Sequence, residues 1–172
     1  MSNWYEFFSK NFWNIFFGGL LLFSLVVISS AFVIDSFLGY EPCILCLYER
    51  IPYIIISLIS IVSFFFTRNI KKILLQLCCL CVFVGAGISI YHVGVEKSWW
   101  SPSSKCVPDT NFAEINSLDE FKKKLESSKL GDCSKPALKI LSFSLADINL
   151  IINLFMFAVF LIMIKKNAKT TL

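Results

Sequence analysis

Apolar residues run through this chain in four blocks, at residues 12–34, 44–66, 73–94 and 145–164, with polar residues gathered between them. Each block supplies the roughly 20 residues a helix needs to cross a bilayer core. The pattern predicts four membrane-spanning helices, with loops at 35–43 and 95–144 and a tight basic turn at Arg68, Lys71 and Lys72. Short connections among the first three spans imply antiparallel neighbours. The expected fold is an all-α integral membrane protein, a four-helix bundle forming one domain over residues 1–172. No internal repeat or low-complexity segment interrupts it.

The long loop has a helical signal of its own. Ser117-Leu118-Asp119-Glu120 reads as a capping box. Phe112, Ile115, Leu118, Phe121 and Leu125 follow at helical spacing, and Gly131 stops the run. A short amphipathic helix is expected there, lying on the membrane or capping the bundle. Ser144 and Asp147 form a second capping box where span four begins, a better reading of Asp147 than catalysis.

Composition agrees with the pattern. Of 172 residues, 56% are hydrophobic and 18 are phenylalanine, with a mean hydropathy of +0.71, more apolar surface than a soluble domain can hide. The net charge of +4 therefore speaks to topology, and no nucleic-acid partner is expected. The first loop holds Asp35 and Glu41 and no lysine or arginine, whereas Lys10, the Arg68 turn and the Lys165/Lys166/Lys169 tail are basic. The positive-inside rule then places both termini in the cytoplasm. The long loop carries eight lysines, nearly balanced by seven acids, and large loops are crossed with less regard to charge. Ser29 and Ala31 offer a small-x-small cleavage pattern, but the apolar stretch is longer than a signal-peptide core, so an uncleaved helix is expected. Trp4, Trp13, Trp99 and Trp100 read as headgroup anchors.

Seven cysteines divide into two groups. Cys78, Cys79 and Cys81 fall inside span three and read as small hydrophobes; no metal ligands accompany them, and no metal site is expected. Cys43, Cys46, Cys106 and Cys133 fall at or in the two outer loops, where an oxidising compartment favours disulfides. A Cys-x-x-Cys ring restrains little chain entropy, and such pairs commonly have a lowered thiol pKa and redox activity. Cys106 and Cys133 enclose a longer loop and read equally as a structural staple or a working pair. Cys46 sits near the start of span two, where the helix dipole favours an anion. Arg50, four residues on, shares its helix face about 6 Å further along. A charge within a span calls for a partner or a role. Arg50 could hold a Cys46 thiolate and a reduced carrier, snorkel outward, or pair with Glu49. His92, the one histidine, ends span three at the same depth; it reads either as an interfacial hydrogen-bonding residue or as an aid to proton transfer.

Pro42-Cys43-Ile44-Leu45-Cys46 with Arg50, then Tyr91-His92-Val93-Gly94-Val95-Glu96, Trp99-Trp100, single cysteines at 106 and 133, and Ser144-Leu145-Ala146-Asp147-Ile148-Asn149 together resemble the disulfide bond formation protein B (DsbB) family, in order and over nearly the whole chain. The resemblance implies a quinone-dependent thiol oxidase of the bacterial inner membrane, with its redox cysteines periplasmic. It implies Cys43–Cys46 and Cys106–Cys133 disulfides, with Cys106 taking the attack of a periplasmic DsbA-like thioredoxin-fold oxidase. It further implies that Cys46 meets the quinone, ubiquinone or menaquinone, in a site lined by Arg50 and His92. Such a relay sustains disulfide formation as electron transport by thiol–disulfide exchange. Pro52 is expected to kink span two or delay its start. Rival readings are a paralogue serving one dedicated partner, a vitamin K epoxide reductase relative (whose loop pair precedes its Cys-x-x-Cys, the reverse of the order here), and a non-catalytic scaffold stapled by permanent disulfides.

Overall fold

The protein is described by a computed structural model covering residues 2–37, 39–103, 106, 131–136, 138–140 and 142–169. The amphipathic helix expected around residues 112–125, and the side chain of Trp4, lie outside the described residues. Helices α1 (Ser2–Ser36), α2 (Ile44–Ser63), α3 (Arg68–Glu96) and α4 (Leu145–Lys169) carry most of the described chain. Among the described residues, Asn11–Ser36, Ile44–Ser63, Arg68–Glu96 and Leu145–Lys166 are long and apolar enough to cross a membrane. In the bundle α1 packs on α2, α2 on α3, and α3 on α4, so chain neighbours are spatial neighbours.

Some boundaries move. Span two ends at Ser63 rather than 66, and Phe64–Phe66 make the turn through bonds back to Ile61, Val62 and Ser63 carbonyls. Helix α3 starts at Arg68, five residues before its apolar block, because Thr67 opens it by accepting the Lys71 N–H through its carbonyl. Lys71 is thereby drawn into the bundle, buried, with its ammonium donating to Asn14 Oδ1. A two-stranded hairpin, β1 (Lys139–Ile140) with β2 (Phe143–Ser144), is a small addition to the all-α expectation. It delivers Ser144 to the start of α4. There the expected capping box forms: Asp147 N–H donates to Ser144 Oγ at 3.1 Å and Ser144 N–H donates to Asp147 Oδ2 at 3.2 Å. Asp147 also takes a bond from Lys97 at 2.9 Å.

The core joins Phe17 and Leu20 of α1, Ile56 of α2, Leu75, Cys78, Cys79 and Val82 of α3, and Phe160 of α4. Cys78 and Cys79 are packed there as small apolar groups, with Cys81 against their edge. Trp13 departs from the headgroup placement its sequence position suggests: it is buried in this core and stacks on Phe17. Helical spacing puts both rings on the face of α1 turned to its neighbours. Ser57, Ser60 and Ser63 of α2 return their hydroxyl protons to carbonyls of their own helix, which satisfies them without water. Outward faces are largely apolar, with Leu22 and Phe32, Leu58, Leu80 and Phe83, and Phe155 exposed. A bilayer is the solvent that tolerates such a surface.

Helix α3 ends in a Schellman turn. Trp99 N–H bonds the Gly94 carbonyl at 2.8 Å and Ser98 N–H bonds the Val95 carbonyl at 3.0 Å, with Ser98 at φ 58°. The turn folds Trp100 back so that its ring stacks on Tyr91, 5.9 Å between centroids. Trp100 then covers Gly94 so closely that any Cβ there would sit 2.0 Å from the ring.

Candidate functional site

Cys43 is the N-cap of α2. Its backbone is extended (φ −76°, ψ 165°), and its Sγ accepts the Cys46 N–H at 3.2 Å, filling a place a hydroxyl or carboxylate usually takes. Cys46 is one turn on, and the two sulfurs lie 2.7 Å apart. Pro52 neither delays the helix nor breaks it: α2 runs unbroken from Ile44 to Ser63. The ring packs toward Gly85 of α3, where a Cβ would lie 3.3 Å from Pro52 Cγ.

Antiparallel pairing brings the end of α3 against the start of α2, and His92 arrives at the dithiol. It is almost wholly buried. Its Nδ1 is 3.1 Å from Glu49 Oε1, and its Nε2 is 3.4 Å from Cys43 Sγ and 3.7 Å from Glu96 Oε1; Cys46 Sγ lies within 4.8 Å. Glu49 thus holds the imidazole against the sulfur pair, and the Glu96 carboxylate stands beside it. Arg50 departs from two of its three sequence readings. It neither caps Cys46 nor pairs with Glu49, but reaches α1 and grips Asp35 at 2.6 Å. Glu49, one residue earlier, faces inward because a one-residue step turns the helix by about 100°.

The loop after α3 completes the cluster. Gly131 N–H donates to the Pro42 carbonyl at 3.2 Å, and Gly131 pairs with Cys43 as an isolated parallel bridge. Two residues later, Cys133 is completely covered, and its N–H bonds the Cys106 carbonyl at 3.2 Å. All seven cysteines are thiols in this structure. Cys106, Cys133 and Cys43 pack with Leu45 and Val95 into one buried group, and Cys46 lies at its edge. That packing sets the proton affinities. Hydrogen bonding with Cys133 and Cys46, together with burial, pushes the Cys43 thiol up. Cys133 is pulled down to about 6, first by the Cys43 hydrogen bond and then, against its burial, by the Leu45 N–H. Burial raises Cys106. Ser134 donates to Asp132 through both N–H and hydroxyl, and lowers its carboxyl.

A cavity of about 360 Å³ opens beside the cluster, within the size range of small-molecule sites. Val27, Ala31 and Ile34 of α1 and Ile148 and Ile152 of α4 make its apolar walls. Cys46, Glu49, Arg50, His92 and Glu96 gather on its polar side. A hydrogen-bond network lies beneath: Tyr53 donates to Asn149 Oδ1 at 2.6 Å, and Asn149 donates to Ser89 Oγ at 3.0 Å. Every residue singled out in the sequence (Cys43, Cys46, Arg50, His92, Cys106, Cys133) lies in or beside this assembly. Sequence reasoning misses Glu49, Asp35, Glu96 and Asn149 as site residues. Two of them leave a signal: a carboxylate inside a span requires a partner, and Glu96 stands four residues from His92 on the same helix face.

This arrangement can conduct thiol–disulfide exchange along a row of sulfurs ending at a cavity, with an imidazole and two carboxylates to take protons. No solved structure matches the chain. An uncharacterised protein of Rickettsia prowazekii is 31% identical over 135 residues, covering 78% of each chain. Disulfide bond formation protein B 1 of Pseudomonas fluorescens is 30% identical over 125 residues, 72% of each chain. Disulfide bond formation protein B of Acinetobacter baylyi is 26% identical over 98 residues, 55% of this chain and 57% of its own. Residues 13–163, which hold the cores of all four helices and all four clustered cysteines, match the family described as disulfide bond formation protein DsbB, and to that family of membrane proteins this chain belongs.

Proposed function

We propose that the protein is a quinone-dependent thiol oxidase that reoxidises a DsbA-like thioredoxin-fold partner, working from the bacterial inner membrane with its cysteine end in the periplasm and both termini cytoplasmic. The observation that carries the reading is the packing of Cys133 with both Cys43 and Cys106 in one buried group. It joins the two pairs, Cys106–Cys133 and Cys43–Cys46, into one path that ends at the cavity.

In the resting enzyme both pairs are disulfides. A partner thiolate attacks Cys106, forms the mixed disulfide and releases Cys133 as thiolate; the partner's second thiol then closes its own disulfide and frees Cys106. Cys106 is buried, so the attack needs its loop to part from the core. The thiolate that leaves, Cys133, lies in the same buried group as Cys43, placed to attack the second disulfide. Exchange with the Cys43–Cys46 disulfide then passes the electron pair on and restores Cys106–Cys133. Both sulfurs of that pair line the cavity, and Cys46 is the less buried of the two. The apolar walls and the few polar groups of that cavity suit a flat ring with two carbonyl oxygens. A quinone bound there would accept the electron pair and two protons. His92 stands between Cys43 and Glu49, placed to carry a thiol proton away, while Arg50, fixed by Asp35, supplies positive charge at the cavity wall.

The test is quinone consumption by purified protein in detergent with a reduced thioredoxin-fold dithiol, beside Cys46→Ser. Matched rates of quinone loss and partner oxidation, abolished in the variant, are expected. No turnover with ubiquinone or menaquinone analogues would leave a disulfide-stapled scaffold. Electron flow from quinol to the partner's disulfide would reverse the assigned direction.

A further inference from the structure

We infer that the reduced Cys43–Cys46 dithiol and His92 form a binding site for a thiophilic divalent cation of the zinc class, which locks the dithiol and holds the enzyme in its reduced state. The inference rests on the proposed reading only in treating the reduced pair as a working state.

The ligand atoms of Cys43, Cys46 and His92 all lie within 4.8 Å of one another. Tetrahedral zinc, with bonds of about 2.3 Å to sulfur and about 2.0 Å to nitrogen, sets neighbouring ligand atoms about 3.5–3.8 Å apart. The Cys43 Sγ to His92 Nε2 separation is 3.4 Å, already close to that. The sulfurs, at 2.7 Å, need to spread by about 1 Å, a movement open to the Cys46 side chain, which is only partly buried. Cys-x-x-Cys at a helix start is a spacing used by zinc sites.

The histidine is already oriented as a ligand. A metal-binding imidazole characteristically donates its other N–H to a carboxylate, which fixes ring and tautomer. Here Nδ1 faces Glu49 Oε1 at 3.1 Å, leaving Nε2 toward the sulfurs. Binding displaces two thiol protons, so the cation and two thiolates sum to a neutral unit, suited to a site at the edge of an apolar bundle. The fourth position faces the cavity, where water or Glu96 can fill it. With both sulfurs bound to metal, no disulfide can form and electrons are retained.

Cadmium, which takes the same ligands and gives an ultraviolet thiolate charge-transfer band, is the probe. It is titrated into reduced full-length Cys106→Ser/Cys133→Ser protein in detergent, without quinone or partner. One cadmium per chain, a band saturating at equivalence, and loss of both after oxidation are expected. Glu49→Gln should weaken binding about 10–100-fold while keeping the chain folded by gel filtration, and His92→Ala should weaken it further. Absence of a saturable band overturns the site. So does a band that survives Cys43→Ser/Cys46→Ser, or affinity unchanged by Glu49→Gln and His92→Ala. Protein that binds cadmium yet reduces no quinone loses the proposed oxidase function alone; protein that turns over yet binds no cadmium loses only this site.

Discussion

Gly131→Ala should separate the two cysteine pairs without touching either. An added Cβ would stand 2.6 Å from the Glu41 carbonyl oxygen, well inside van der Waals contact, and the obstacle is backbone rather than a side chain that can swing away. The loop must retreat, and in doing so it strains or loses the Gly131 N–H to Pro42 bond. Overpacking of this kind costs about 1–3 kcal/mol, and the hydrogen bond adds about 1 kcal/mol. Taking about 2 kcal/mol as the low end, docking of the Cys133 loop on the α2 start weakens about 30-fold. The assay isolates that contact. In a Cys46→Ser/Cys106→Ser background, Cys43 and Cys133 are the cluster thiols left to pair, and their effective concentration is read against glutathione redox buffers. Gly131→Ala should lower it by about 30-fold or more. Gly87→Ala serves as the control, since nothing lies within 4 Å of its added Cβ. An effective concentration unchanged by Gly131→Ala would refute the claim that this bridge docks one pair on the other.

Three further outcomes follow from local geometry. Ser98 holds the left-handed position of the α3 terminus at φ 58°, so Ser98→Gly should stabilise the protein by about 1 kcal/mol in detergent unfolding; a loss of stability would contradict the Schellman assignment. Ser144→Ala removes one half of the capping box and should cost about 1 kcal/mol, visible as a lower melting temperature; an unchanged one would show the box contributes nothing. Reduced Cys133 has its folded pKa drawn down to about 6 from 9.0, so its contribution to stability is fully present above 9 and is lost as pH falls through 6. Cys43 is shifted the opposite way, and its contribution, present below 9, does not fade in that window. The melting temperature of the reduced protein, relative to Cys133→Ser, should therefore rise between pH 6 and 9, and a flat difference would remove the stabilised Cys133 thiolate.

The sequence alone settled what depends on neighbours within a helical turn or on bulk apolar length. Four blocks of apolar residues specified four spans, because a bilayer leaves a chain no other way to satisfy its backbone. The Cys-x-x-Cys at the α2 start and the Ser144–Asp147 box were legible because their partners are three residues apart. Burial of Cys78 and Cys79 was legible from their place inside an apolar run. Only the tertiary structure decided which distant groups meet. Arg50 is within reach of Cys46 along the helix, yet the packing of α1 offers Asp35, and an ion pair across helices takes the charge. Trp13 lies near the end of a span, where spacing along one helix suits a headgroup anchor, until neighbouring helices close over it. His92 stands 43 residues from Glu49, and Cys133 lies far along the chain from Cys43. Their meeting depends on the register of α2 against α3 and on a loop seated by one glycine, which no local pattern encodes.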